Sequence, residues 1–186
     1  MKKYIEKLNI LSQKELNQID DKLHQLSVEK GTILLEEGSV SDKLFIVKSG
    51  TLCNLYEDAD AEERINCMAF NGEFSCSFSS FMSGNPAHES IIALLDSELE
   101  YINQKDLETL FDSSMSWQKV GRKFIELHYI LMEEHFTNFQ QKNGATRYEF
   151  LLRNYPQQVR AIPQKYIASY LGISTRQLTR LRKSIF

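Results

Sequence analysis

IPQKYIASYLGISTRQLTRLRKSIF, residues 162–186, is the stretch of this sequence that decides the fold. Pro163 suits the start of a helix, where its missing N–H is not required. Ile167 and Leu171 then repeat at the i, i+4 spacing of a buried helical stripe. Gly172 can take the positive φ that ends a helix. The first half of the stretch therefore predicts one short helix that stops at a glycine.

A second helix is predicted directly after this glycine. Ser174 and Gln177 have the S-x-x-Q spacing of a capping box, which marks a helix start. Leu178 and Leu181 then fall on one apolar face. The opposite face carries three cations at i, i+4 and i+7, namely Arg176, Arg180 and Lys183. A helix that reads the DNA major groove requires such a division, although a surface hairpin with a solvated basic face has the same pattern.

The charge of the chain is divided unevenly between its two parts. Residues 145–186 hold eight Lys or Arg and one acid, a net charge of +7. Residues 1–144 hold 14 basic and 24 acidic residues, a net charge of −10, within a total of −3. A basic tail is attracted to phosphate through counterion release. The division of charge therefore favours a nucleic acid as the partner of the tail.

Composition limits the class of protein. A chain of 186 residues with 42% hydrophobic and 25% charged residues has room for one ordinary globular domain and a small second one. No apolar run is long enough to span a membrane, and the N-terminus lacks the apolar core of a signal peptide, so we expect a cytoplasmic protein without membrane contact. The three widely spaced cysteines do not fit a disulfide framework, a zinc site or an iron–sulfur cluster. Each is either a buried free thiol or a redox sensor: Cys53, Cys67 and Cys76.

The region from Val28 to Tyr101 has the sequence pattern of a β-rich domain. Short β-type runs alternate there with turn residues, including five glycines. This pattern predicts an antiparallel roll. Lys48-Ser49-Gly50 is expected to form a hairpin turn between two strands. Glu57–Glu63, EDADAEE, is expected to be an exposed acidic loop without a metal, since it lacks the spacing of a calcium loop.

Helices are predicted on both sides of this β-rich region. Residues 4–26 predict a short helical lead-in, with Ser12 as its N-cap. A long helix is expected over residues 116–143. One apolar set has the 3-4-3-4 spacing of a coiled-coil seam: Trp117, Val120, Phe124, Leu127 and Leu131. A second apolar set lies on another side of the helix: Ile125, Met132, Phe136 and Phe139.

The two apolar sets of the long helix require two separate surfaces to cover them. We expect the first set to form the interface of a homodimer and the second set to cover the body of the protein. The alternative is an intramolecular role for both sets. Gly144 is expected to end the long helix, and Thr146 and Glu149 have the spacing of a capping box for the next helix, which stops at Pro156. The tail is therefore expected to contain three helices.

The order of these features resembles the Crp/Fnr family of bacterial transcription regulators, over nearly the full length. The motifs that carry the resemblance are Glu37-Gly38 with Leu44–Gly50, then Asn71-Gly72-Glu73-Phe74, and finally Leu171–Ser174 with Leu178–Arg180. It implies an α+β fold with an antiparallel β-roll of cyclic-nucleotide-binding type, a double-stranded β-helix, in residues 1–115. A dimerisation helix (116–143) and a DNA-binding helix-turn-helix domain (144–186) would follow. Members usually add a β-hairpin wing, but this sequence stops at Phe186, so we expect no full wing.

The resemblance also implies a ligand pocket in the roll, at Gly72, Glu73, Phe74, Ser75, His88, Glu89 and Ser90. In nucleotide-binding members an arginine neutralises the cyclic phosphate and a glutamate takes the ribose hydroxyl. Here Glu73 is present, but no Lys or Arg occurs between Arg64 and Lys105. A buried phosphate without a charge partner is costly. We therefore expect no cofactor and no response to cyclic AMP. The roll binds another small molecule or nothing, and Glu73 is a ligand contact or a turn residue.

The resemblance places the DNA contacts on and around the last helix. Arg176 and Arg180 are the expected base readers, because a guanidinium can grip guanine O6 and N7 with two bonds. The other predicted contact residues would bind phosphates and so fix the position of the protein along the duplex. The complete predicted set is Lys165, Tyr166, Ser174, Thr175, Arg176, Gln177, Thr179, Arg180, Arg182 and Lys183. The implied partners are double-stranded DNA with an inverted-repeat site, a second copy of the chain, and RNA polymerase.

Two other classes of function compete with DNA binding. A module of the same fold that has lost specific DNA binding would act through protein contacts. An enzyme is not expected, because the four histidines are scattered and no nucleophile–base pair or phosphate-binding loop occurs. No metal site is expected either.

Overall fold

The β-rich region folds into two four-stranded antiparallel sheets. The structure, a computed structural model, describes residues 1–185, so the expectation of a missing wing after Phe186 lies outside the described residues. The sheet orders are β1-β8-β3-β6 and β2-β7-β4-β5. The strands are β1 (His24–Val28), β2 (Ile33–Leu35), β3 (Lys43–Ser49), β4 (Leu52–Glu57), β5 (Glu63–Ala69), β6 (Phe74–Ser75), β7 (Ser90–Ala93) and β8 (Ser97–Asn103).

The inner faces of the two sheets form the core of the roll. Val47 and Leu99 come from the first sheet, and Leu52 and Ile91 come from the second; all four are buried. Burying one such aliphatic side chain contributes about 1.5–3 kcal/mol. The acidic loop extends from the β4–β5 hairpin and is largely exposed, as expected. The structure thus confirms the predicted antiparallel roll.

The turn at Gly50 differs from the prediction. Strands β3 and β4 belong to different sheets, so the turn carries the chain between sheets and does not close a hairpin. Gly50 has φ +94°, and a Cβ atom there would clash with Ser97. Only glycine permits this close crossing. The turn residue was predicted correctly, but the pairing of the flanking strands was wrong.

The N-terminal lead-in is shorter than predicted. It consists of α1 (Lys2–Glu6), α2 (Gln13–Leu16) and a 3-10 helix (Asn17–Ile19). The Ser12 side chain caps α2. Leu26, the last residue of the predicted lead-in, instead lies in β1 opposite Leu99 of β8. Its i+3 spacing from Leu23 fits a helix, but the alternating burial of β1 belongs to a strand.

The long helix is α5 (Met115–Gln141), as predicted within a few residues. It follows α3 (Phe78–Ser83) and α4 (Gln104–Ser113), and Ser114 caps it by accepting a hydrogen bond from the Trp117 N–H. In the part of the chain described, no helix is both long enough and apolar enough to cross a membrane.

The first apolar set of α5 is divided: the roll covers its first residues, whereas Leu131 is 61% exposed. Trp117 is 0% exposed and Val120 is 4% exposed, both in the core that α5 shares with the roll. The Trp117 indole donates to Gln18 at 2.8 Å. Phe124 also packs on this side, against Phe74. The prediction of an intersubunit role for Trp117 and Val120 is therefore wrong, because the chain buries both by itself.

A continuous apolar stripe remains exposed on the other side of α5. We call it the α5 stripe; it contains Ile125 (39% exposed), Tyr129 (69%), Met132 (59%), Phe136 (63%) and Phe139 (46%). These residues repeat with 4-3-4-3 spacing, which is also that of a coiled-coil seam. Periodicity identifies two apolar sides but not which one meets the roll. The side that meets the roll is decided by where α5 starts.

Up to residue 185, four helices follow α5, not three. They are α6 (Gly144–Asn154), α7 (Pro156–Ala161), α8 (Gln164–Tyr170) and α9 (Thr175–Ile185). Pro156 does end α6 as predicted, but it also occupies the first turn of α7. The N-cap of α6 is Asn143, whose side-chain oxygen accepts from the Thr146 N–H at 3.0 Å. The predicted cap at Thr146 is therefore wrong by three residues.

The turn between α8 and α9 has the predicted form. Gly172 has φ +62°. The Gln177 N–H donates to the Ser174 hydroxyl at 3.2 Å, and the Ser174 N–H donates to the Gln177 side-chain oxygen at 2.8 Å, which completes the capping box. Ile167 and Leu178 are fully buried between the two helices.

The C-terminal helices pack on the outer face of the second sheet. One hydrophobic core includes residues of β5 together with Ile167 and Leu178. The Ile65 N–H of β5 donates to the Ser169 hydroxyl of α8 at 2.9 Å. β5 is the last strand in the order of this sheet, so α8 covers its edge. The roll and the C-terminal helices are therefore joined directly as well as through α5.

Gly172→Ala is expected to lower the free energy of unfolding by about 2–3 kcal/mol, measured by urea denaturation. The substitution strains the left-handed backbone, and the added Cβ would lie 2.6 Å from the Phe139 ring. Gly84→Ala is the matched control, because Gly84 has φ +72° and open space around the added Cβ. The control should cost about 1–2 kcal/mol. Equal losses for both variants would contradict a contribution from the contact with Phe139.

Candidate nucleic-acid interface

The outer face of α9 is the most cationic exposed helix face of the C-terminal region. Thr175, Arg176, Thr179, Arg180 and Lys183 are all exposed on it. Among residues 1–185, no hydrogen-bond or ion-pair partner reaches the guanidinium groups at positions 176 and 180. The opposite face of α9 is held by Leu178 in the core. The helix therefore presents two unpaired guanidinium groups from a fixed support.

The polar residues at the start of α9 are mainly engaged with the helix itself. Ser174 and Gln177 form the capping box described above. The Thr179 hydroxyl donates to the Thr175 carbonyl at 2.9 Å. It also lies 3.4 Å from the side-chain oxygen of Gln164, at the start of α8. Gln164 was not among the predicted contacts, yet the structure places it beside the outer face of α9.

Arg182 does not share the outward direction of the other cations. Its Nε donates to the Tyr148 hydroxyl at 3.1 Å, and its Nη2 donates to the Val159 carbonyl at 3.1 Å. These bonds join α9 to α6 and α7. The sequence contains a signal for this role, because Arg182 is four residues after the buried Leu178 and so shares its face.

Lys165 and Tyr166 lie at the start of α8, next to the roll. The Lys165 ammonium is 2.8 Å from a carboxylate oxygen of Glu63 and 4.5 Å from the centre of the Tyr166 ring. The hydrogen bond to Glu63 raises the pKa of Lys165. Both charged groups remain largely solvent-exposed, so the pair is worth little in stability. A phosphate oxygen could replace the carboxylate at low cost.

Glu73 is committed to internal hydrogen bonds. One carboxylate oxygen accepts from the Phe70 N–H at 3.0 Å, and the other accepts from the Tyr155 hydroxyl at 2.5 Å. The Tyr155 ring stacks on Phe70 with 4.0 Å between ring centres. Burial, together with the hydrogen bond to Glu73, raises the pKa of the Tyr155 phenol. Glu73 therefore acts as a turn residue, and it also holds the C-terminal helices, a role that sequence reasoning missed.

A second polar group inside the roll is also internally paired. The Asn54 amide donates to one Glu89 carboxylate oxygen at 2.9 Å, and the Asn66 amide donates to the other at 2.8 Å. The Ser75 hydroxyl donates to the Asn54 side-chain oxygen at 3.3 Å. This arrangement places a bonded, negatively charged carboxylate near the predicted pocket. It opposes the binding of an anionic ligand.

The remaining predicted pocket residues do not converge on one point. The Ser90 hydroxyl accepts from the Glu37 N–H at 3.0 Å. His88 is exposed, Gly72 lies in the turn before β6, and Phe74 packs against the aromatic rings of α1 and α5. Within the described chain, no group of three or more metal-ligating side chains occurs.

Two of the three thiols of the roll are poor nucleophiles. Burial raises the pKa of Cys53 and of Cys76 to about 12. Both are therefore protonated at neutral pH, and a thiolate is the reactive form. These two positions favour the buried-thiol alternative over redox sensing.

Comparison with known proteins supports this architecture. The family model described as the cyclic nucleotide-binding domain matches residues 25–114. No curated protein sequence matches the chain significantly. Many solved structures are similar to it.

Three solved structures show how far the similarity extends. FixK2 from Bradyrhizobium japonicum has 17% identity and a TM-score of 0.70, with 88% of this chain and 84% of that chain covered. A transcriptional regulator assigned to the Crp/Fnr family, from Eubacterium rectale, has 20% identity and a TM-score of 0.69, covering 95% and 84%. The c-di-GMP-responsive global regulator CLP from Xanthomonas campestris has 17% identity and a TM-score of 0.64, covering 94% and 91%. At these identities the likeness concerns the fold.

Tyr155→Phe is expected to lower the free energy of unfolding by about 1.5–3 kcal/mol, because it removes a hydrogen bond to a charged group and keeps the ring on Phe70. Urea denaturation measures the change. Tyr129→Phe is the matched control, since the Tyr129 side chain is largely exposed on α5. The control should stay within about 0.5 kcal/mol of the parent. A similarly small effect at position 155 would mean that the bond to Glu73 does not hold the C-terminal helices.

Proposed function

Since residues 25–114 form a domain of cyclic-nucleotide-binding type within the fold of the Crp/Fnr regulators, we propose that this protein is a homodimeric, sequence-specific DNA-binding transcription regulator of the cytoplasm. The observation that carries the proposal is the outer face of α9. It presents Arg176, Arg180 and Lys183 at i, i+4 and i+7 on a helix whose other face is buried. Such a helix meets the chemical requirements of the major groove.

In this proposal α8 and α9 form a helix-turn-helix, with α9 as the recognition helix. Arg176 and Arg180 read guanine through two-bond contacts, and Thr175 lies beside them at the helix start. Lys183 and Lys165 contact phosphates and set the register on the duplex. Arg182 supports α9 from behind through its bonds to α6 and α7. Binding then loses affinity as salt rises, because each phosphate contact releases counterions.

We propose that two chains associate through the α5 stripe. The residues of the stripe have coiled-coil spacing, and each of them is 39–69% exposed in the described chain. In this proposal the chain consists of a roll (residues 1–115), a dimerisation helix (116–143) and a set of DNA-binding helices (144–186). Two-fold symmetry would place the two α9 helices about 34 Å apart, one turn of DNA, on an inverted repeat.

The proposed regulator does not respond to cyclic AMP. The Glu73 carboxylate, which would take a ribose hydroxyl, is engaged by Phe70 and Tyr155. The Glu89 carboxylate adds a bonded negative charge, and the segment between Arg64 and Lys105 supplies no cation for a phosphate. We infer that the roll serves as a structural platform for α5 and for the C-terminal helices.

Arg180→Ala should weaken binding to the preferred duplex by about 1–3 kcal/mol and relax the preference at one base pair. The preferred duplex is selected from a random oligonucleotide pool with the parent protein, and affinities are then measured by gel shift at several salt concentrations. Arg122→Ala is the control, because it removes an exposed arginine from α5. It should bind the selected duplex as the parent does.

Two outcomes would change this proposal. Equal weakening on all duplexes would make Arg180 a phosphate contact and not a base reader. Failure of the parent to enrich any duplex, with no salt-dependent binding, would contradict DNA recognition and favour a protein-interaction module of the same fold.

Met132→Asp is expected to convert the dimer into monomers, because it places a charge in the centre of the α5 stripe. Light scattering after size-exclusion chromatography measures the mass. Ile130→Asp is the matched control, since Ile130 is also exposed on α5 but lies off the stripe. The control should keep the mass of two chains. A dimer that survives Met132→Asp, or a parent that is monomeric, contradicts the interface.

A further inference from the structure

A cavity lies where the end of α5 meets α6 and α8. Its volume is about 90 Å³, and it is partly open to solvent. Phe139, Phe150 and Tyr170 form aromatic walls, with Leu151 and Leu171 beside them. A partly enclosed, mainly apolar site with a few fixed polar groups is the usual form of a small-molecule pocket.

The charged groups that line this cavity are cationic. Lys142 and Arg147 line it and carry full positive charges, and His135 adds an imidazole. No Asp or Glu is among the residues that line it. Burial and the charge of Arg147 lower the pKa of His135, so the imidazole is neutral at pH 7. The net charge of the lining therefore favours an anion.

Arg147 is held rigidly in the wall of the cavity. Its Nη1 donates to the Phe139 carbonyl at 3.0 Å, and its Nη2 donates to the Leu171 carbonyl at 2.6 Å. The guanidinium also lies 4.4 Å from the centre of the Phe139 ring. Its Nε is the one buried side-chain nitrogen or oxygen without a hydrogen-bond partner in the part of the chain that the structure describes. The surrounding residues close off this Nε, so a ligand in the cavity would meet the charge of the guanidinium and not this N–H.

We propose that this cavity binds a small aromatic carboxylate, with the ring between the aromatic walls and the carboxylate toward Lys142 and Arg147. An aromatic ring matches walls made of Phe139, Phe150 and Tyr170 through stacking and edge contacts. A carboxylate matches a fixed guanidinium and a flexible ammonium through charge-assisted hydrogen bonds. The ligand would contact α5, α6 and α8 together. It is an effector site outside the roll, and its existence does not depend on DNA binding.

The test uses the full chain with sodium benzoate as the probe and benzamide as its neutral counterpart of equal shape. Benzoate should raise the melting temperature and give a saturable isotherm in calorimetry, and benzamide should not. Lys142→Gln should weaken benzoate binding by at least about fivefold, because it removes one charge-assisted contact. Lys119→Gln is the matched control, because it makes the same change on α5 away from the cavity and should stay within about twofold.

The substitution at position 142 is preferred to one at Arg147 because Lys142 is exposed and its side chain makes no internal hydrogen bond. Loss of Arg147 would free two helix ends, and weak binding could then reflect unfolding. The proposal is overturned if benzoate neither raises the melting temperature nor gives a saturable isotherm. Equal binding of benzoate and benzamide, or equal effects of Lys142→Gln and Lys119→Gln, would overturn it as well. None of these measurements contains DNA, so a failure here is separate from a failure of duplex selection.

Discussion

The burial of α5 is the constraint on which the rest of the structure depends. A helix that is apolar on two sides is stable in water only if two surfaces cover it. The roll covers the side with Trp117 and Val120, and the indole N–H finds an acceptor in Gln18. This leaves the α5 stripe uncovered. An exposed stripe of this length is costly in solution, which is why a second chain is the simplest complement.

A second constraint joins the roll to the C-terminal helices. Their common core runs from β5 into α8 and α9, and the Glu73–Tyr155 hydrogen bond lies at its margin. The orientation of α9 is therefore set from two directions, through α5 and across β5. In this arrangement the Glu73 carboxylate, which could have bound a ligand, instead joins the roll to the C-terminal helices. The roll supports α9 physically.

Local features of the fold could be predicted from the sequence, and features set by distant packing could not. The capping box at Ser174 and the positive φ of Gly172 depend on a few neighbouring residues, so their patterns sufficed. The side of α5 that meets the roll and the sheet assignment at Gly50 depend on contacts far along the chain, and both predictions were wrong. For the candidate interface, the exposed cations of α9 were predicted, whereas Tyr155 and the inward direction of Arg182 required the packed structure.

The cover that α8 provides over β5 has a consequence for the handling of the protein. The outer edge of a sheet is a template for pairing with strands of other chains. Here the Ile65 N–H donates to the Ser169 hydroxyl, and α8 lies beside the strand. A proteolytic cut that released the last helices would uncover this edge together with its apolar neighbours. The truncated fragment would then be prone to intermolecular strand association, so an intact C-terminus protects the protein from aggregation.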